Sequence, residues 1–182
     1  TLPNMIAGDK AGNRDSSDAP LWLFVACADL KRAIGDGEWL GQKCGRPSRP
    51  GGQRTLLEVL RTMASSYRRG TANGIICDPE SGLVFSPAHF TWMDTNFPAG
   101  TPRAGYPVEI QALWHFALHF LAEITGEGQW NDLARLARES VSKLYWRKQD
   151  EFLADCLHAP AGAPAAKAQA DDALRPNQLL AL

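Results

Sequence analysis

The chain has 182 residues, with 19 Lys+Arg against 20 Asp+Glu and a formal net charge of −1. That balance argues against a nucleic-acid or anionic-membrane binder, and 45% hydrophobic with 21% charged residues is the composition of a folded globular protein rather than a disordered one. The longest apolar run, Leu21-Trp22-Leu23-Phe24-Val25-Ala26-Cys27-Ala28, is too short to span a bilayer. Cys27, Cys44, Cys77 and Cys156 lie far apart and form no CxxC pair, so free thiols in a reducing compartment are expected rather than a metal or redox motif. The chain starts at Thr1 without a signal-like stretch, and a new apolar segment opens after Pro176; it reads as a piece of a longer polypeptide.

In chain order, the spacing predicts a first helix over 18–34, with Asp18 as cap, Pro20 in the first turn and Leu21, Trp22, Phe24, Val25 and Ala28 on apolar faces. A Gly/Pro-rich basic stretch over 41–53 reads as a loop with solvated charges. A second helix is expected over 54–69, with Leu56, Leu57, Leu60, Met63 and Ala64 at helical spacing and Gly70 at its end. Short apolar runs over 73–77 and 82–85, separated by Pro and Gly, predict a small β-hairpin. A long irregular stretch follows over 86–106; its Phe90, Trp92, Phe97 and Tyr106 argue for order.

The third helix, over 107–125, is apolar nearly all round, with a narrow polar stripe at Gln111, His115, His119 and Glu123. His115 and His119 have a spacing that can hold a metal, but no Glu follows as in HExxH and no third ligand is evident, so a structural role is expected. A fourth helix is expected over 129–149, with Trp130, Leu133, Leu136, Ala137, Val141, Leu144 and Tyr145 inward. An Ala/Pro/Gly-rich loop is expected over 159–170. The expected fold is all-α, built of antiparallel helix pairs with a small β-hairpin insertion.

Three clusters combine carboxylates, arginine and aromatics: 13–22, 90–96 continued by 101–110, and 171–178. This is the mixture that a carbohydrate site needs, since sugar rings stack on aromatic faces, hydroxyls bind charged groups and two carboxyls perform hydrolysis. Simpler roles also fit: Asp18 as a helix cap, Asp94 as a turn residue, and Asp171 with Asp172 as acids favoured at a helix start. Glu109 is harder to reduce to such a role. It falls with Leu113, Phe116 and Phe120 on an apolar face, where an unpaired carboxylate is costly, and Arg103 is the nearest plausible partner in sequence.

Together the clusters resemble the glucosidase domain of glycogen debranching enzymes, the amylo-α-1,6-glucosidases. The resemblance runs through Arg14-Asp15-Ser16-Ser17-Asp18-Ala19-Pro20-Leu21-Trp22, Thr91-Trp92-Met93-Asp94, Thr101-Pro102-Arg103, Pro107-Val108-Glu109-Ile110-Gln111-Ala112-Leu113-Trp114 and Leu174-Arg175-Pro176-Asn177-Gln178, in matching order and spacing. Tyr106 and His115-Phe116 depart from the family pattern. The resemblance implies part of an (α/α)6 toroid, with the remainder of the same polypeptide completing the barrel, in a cytoplasmic enzyme. It implies inverting hydrolysis of α-1,6 branch points in glycogen or a related α-glucan, without metal or organic cofactor. Asp94 would be the general acid, its proton retained through desolvation by Phe90, Trp92 and Met93, and Asp171 its partner carboxylate, with Asp172 or a residue beyond 182 as other candidates for the base. Inversion calls for a carboxyl separation of about 6.5–9.5 Å. Asp18, Trp92, Arg103 and Glu109 would hold the terminal glucose. A non-catalytic glucan-binding fragment, or a related toroid glucosidase acting on α-1,4-glucans or disaccharides, is the alternative.

Overall fold

The computed structural model describes residues 6–7, 10–44, 52–93 and 102–181; Asp94 and Phe97 lie outside the described residues. Four α-helices dominate it: α1 (Ala19–Ile34), α2 (Leu56–Arg69), α3 (Val108–Thr125) and α4 (Gly128–Leu144). Their starts follow local chemistry. Asp18 caps α1 by accepting from the Ala19 N–H at 2.8 Å, and Pro20, whose fixed φ suits a first turn, follows. Thr55 and Glu58 form a reciprocal capping box on α2. The Gly126-Glu127 connection joins α3 to α4 as a helical hairpin, with Gly126 left-handed at the α3 end.

α3 is the centre of the packing, touching α1, α2, α4 and the terminal 3-10 helix Pro176–Ala181. Its Val108, Ile110, Trp114, Ala117, Leu118 and Leu121 are fully buried, joined in the core by Phe24 of α1, Leu60 of α2 and Ala134 and Ala137 of α4. The hairpin expected over 73–85 is present as Ile76–Cys77 against Val84–Phe85. Gln111, expected on a polar stripe, is instead buried; its amide accepts from Val84 N and donates to Val84 O, joining α3 to the hairpin.

The structure is mainly helical, and it corrects the all-α expectation: five small sheets occur among the described residues. The largest pairs Gly105–Pro107 with Cys156–His158, and the latter with Gln169–Ala170. Runs of two or three residues carry too little periodicity to announce a strand, and the first two strands, whose partners include Leu157 and Tyr106, are far apart in sequence, which hides their pairing from local reading. Part of the expected 159–170 loop is thus strand and 3-10 helix. α4 also ends at Leu144 rather than 149, because Tyr145 turns inward and donates its hydroxyl to Tyr106 O at 2.6 Å, after which Trp146–Arg147 pairs with Phe152–Leu153. The described helices do not close a barrel.

The three-stranded sheet positions the site. Arg103 precedes its first strand, Asp155 precedes the second and Asp171 follows the third. Gly105 is essential to that arrangement: at φ +134 a Cβ would overlap the Leu157 carbonyl oxygen and stand 2.8 Å from Ala159 N. Gly35, also at positive φ (+87), has open space around it. Gly105→Ala is expected to cost about 3 kcal/mol or more of unfolding free energy and Gly35→Ala about 1 kcal/mol. Denaturant unfolding of the two variants checks the contrast, and equal losses would contradict it.

Candidate functional site

The site begins with a buried guanidinium. Arg103 is 1% exposed and has acidic groups on two sides. Its Nη1 and Nη2 bind Glu109 as a fork, the Nη2 bond being 2.7 Å. Its Nε is ion-paired with Asp155 Oδ2 at 2.8 Å, Nη2 also donates to Asp155 O at 2.9 Å, and Nη1 approaches Thr91 Oγ1 at 3.4 Å. Burial acts to lower the Arg103 pKa, but Glu109 and Asp155 more than offset it and hold the guanidinium above its ordinary value. The pairing expected between Arg103 and Glu109 is therefore realised within the interior.

From Asp155 the network continues outward. Its Oδ2 accepts from Arg175 Nη1 at 3.0 Å and its Oδ1 from Asn177 Nδ2 at 2.6 Å. Asn177 Oδ1 in turn accepts from the Trp92 indole Nε1 at 3.0 Å. Arg175 Nη1 also donates to Asp171 Oδ2 at 2.9 Å, and His158 Nε2 lies 3.1 Å from the same oxygen. Asp171 Oδ1 accepts from the Ala173 N–H. Burial alone would raise the Asp171 pKa; the bonds from Ala173, His158 and Arg175 bring it below the usual value.

Asp18, Trp22, Trp92, Glu109, Leu113 and Asn177, with Pro176, Leu179 and Leu180, line one cavity of about 370 Å³. That volume lies at the small end of ligand sites. Trp92 is 60% and Trp22 45% exposed, so indole surface is available, while the Glu109 carboxylate keeps lone pairs beyond those used by Arg103. Indole faces beside fixed carboxylates suit a sugar ring, with an apolar face for stacking and acceptors for its hydroxyls. A larger depression, about 710 Å³, is lined mainly by α1 and α3 and contains none of the six candidate site residues Asp18, Trp92, Asp94, Arg103, Glu109 and Asp171.

Of the six residues singled out, Asp18, Trp92 and Glu109 thus meet in one pocket, and Arg103 stands behind Glu109. Asp18 is both a helix cap and a pocket residue. Asp171 belongs to the network but does not line this pocket, and Asp94, with its expected separation from Asp171, lies outside the described residues. Sequence reading missed Asp155 and Asn177. The Arg-Pro-Asn run was the only signal for Asn177; Asp155 sits in a stretch with no motif. Cys156, next to Asp155, is fully buried, and burial pushes its thiol up to about 12, away from the thiolate form. All four cysteines are unpaired, no group of three or more metal-binding side chains occurs among the described residues, and no described helix is long and apolar enough to cross a membrane.

The helices thus frame a small pocket lined by indoles and carboxylates. The chain belongs to the amylo-alpha-1,6-glucosidase family, whose model matches residues 1–182. No individual curated protein matches it.

Two outcomes test the network. Arg103→Met strands the Glu109 and Asp155 carboxylates in the interior and is expected to cost about 3–5 kcal/mol in denaturant unfolding; a loss near zero would show that the pairing is not needed. Asp171, with its pKa lowered on folding, contributes stability above the ordinary carboxylate value and loses it as pH falls through the lower folded value. The fall of Tm with decreasing pH below about pH 4 should therefore be shallower for Asp171→Asn than for the wild type, and identical pH slopes would contradict the assignment.

Proposed function

We propose that this chain forms the glucose-binding wall of a glycoside hydrolase that releases glucose from α-1,6 branch points of glycogen or a related α-glucan, with inversion. The observation that carries the reading is the meeting of Asp18, Trp92 and Glu109, drawn from two separate sequence clusters, around one sugar-sized cavity with Arg103 fixing Glu109 from behind. Family membership supports the reaction class. In this reading the terminal glucose stacks on Trp92, and its hydroxyls donate to Glu109 and Asp18.

Asp94, two residues after Trp92 in sequence, is the general acid that protonates the glycosidic oxygen. Asp171 is the carboxylate on the water side. Its bonds to Arg175 and His158 support an ionised group, the state from which a base acts, and the same bonds lower its basicity. The helices belong to an (α/α)6 toroid completed by further sequence of the same polypeptide. Exposed Leu30, Ile34 and Phe116, away from the cavity, supply apolar surface for that completion. A glycogen substrate places the enzyme in the cytoplasm.

The test is hydrolysis of a singly branched dextrin carrying one α-1,6-linked glucose. In the whole protein, Asp94→Asn should lower kcat about 10²–10⁴-fold with dextrin binding retained, and freshly released glucose should be the β-anomer. Retention of more than half of the wild-type kcat would remove Asp94 from the role, and α-glucose as first product would exclude inversion. Asp171→Asn separates two roles: a base loses kcat by a similar factor at unchanged KM, whereas a residue that only anchors Arg175 changes KM with kcat retained.

A further inference from the structure

The buried group with the widest reach that the mechanism above leaves unused is Asp155, 1% exposed. Its two oxygens serve different parts of the pocket. Oδ2 faces Arg103 Nε and Arg175 Nη1, and through Arg103 it backs the fork on Glu109. Oδ1 accepts from Asn177 Nδ2. The main-chain carbonyl of Asp155 accepts from Val108 N at 2.9 Å, which fixes the residue to the first turn of α3, one position before Glu109.

The Asn177 bond has a directional consequence. A carboxylate can only accept, so Asn177 must turn its NH₂ toward Asp155. Its carbonyl oxygen is then left for Trp92 Nε1, which can only donate, and the two meet at 3.0 Å. The same Nδ2 stands 3.4 Å from Met93 Sδ, so one amide holds both residues that lead into Asp94. Trp92 is 60% exposed and has little packing on its outer side. The hydrogen bond to Asn177 therefore sets the angle of the indole.

We propose that Asp155 is the positioning residue of this pocket: by orienting the Asn177 amide it fixes the Trp92 indole, and by pairing with Arg103 it holds Glu109 in the same pocket lining. The indole orientation follows from the hydrogen-bond pattern alone; only its effect on sugar turnover rests on the glucose-pocket reading.

The test uses the whole protein and reads the Trp92 indole N–H resonance, identified among six tryptophans by its loss in Trp92→Phe. Asn177→Asp sets two carboxylates face to face and should shift or broaden that signal, and raise KM for the branched dextrin about tenfold, as expected for loss of about one directed hydrogen bond. The exchanged pair D155N/N177D restores one donor facing one acceptor, with the new carboxylate still accepting from the indole. It should return the resonance to its wild-type position, a recovery that a merely structural Asp155 would not give. An unchanged signal and KM in Asn177→Asp, or a folded D155N/N177D protein without recovery, overturns the proposal. If the exchanged pair does not fold, Asn177→Asp alone decides. A resonance that moves as expected while KM stays at the wild-type value rejects the glucose pocket and leaves the positioning role standing.

Discussion

A buried guanidinium is tolerated only when its charge is balanced by fixed carboxylates, and Arg103 imposes that demand on everything around it. Glu109 comes from the first turn of α3, Asp155 from the end of the loop before a strand, and Thr91 from the segment between the hairpin and the sheet. Satisfying one side chain thus requires α3, the three-stranded sheet and the aromatic segment to dock together. Gly105, two residues on, allows that docking because its strand approaches Leu157 more closely than any Cβ permits.

The same demand connects stability to chemistry. Asp155 answers Arg103 on the inside and Asn177 on the outside, and Asn177 reaches the indole of Trp92. The pocket wall is therefore the outer end of a charged network whose inner end lies in the core. In the proposed function such a wall is preorganised: its carboxylate and its indole are held before a sugar arrives, which reduces the entropy cost of binding. It also means that substitutions in the network act on both folding and binding, which kinetic and unfolding measurements must separate.

What the sequence disclosed, and what it concealed, follows from the range of each interaction. Asp18 before Pro20 is a local capping pattern, and α1 and α2 start within two residues of where the spacing puts them. Glu109 was legible because a carboxylate on an apolar face needs a partner and Arg103 is only six residues away. Asp155 lies 52 residues from Arg103 in a stretch without periodicity, and Gln111 looked solvated because its bond to the Val84 backbone spans 27 residues. The strand pairing that brings Asp155 to Arg103 has the same long reach and is carried by segments of only two or three residues. The motifs did mark Trp92, Arg103 and Glu109, but not the aspartate that joins them.

The central claim is that the small cavity beside Trp92 and Glu109 receives a glucose unit. A crystal structure of the whole protein soaked in glucose tests this most directly. The account predicts a glucose ring lying against the Trp92 indole, with hydroxyl oxygens within hydrogen-bond distance of Glu109 and Asp18 and with Arg103 still forked onto Glu109. Glucose bound elsewhere with this cavity empty, or Glu109 turned away from Arg103 to reach solvent, would contradict it.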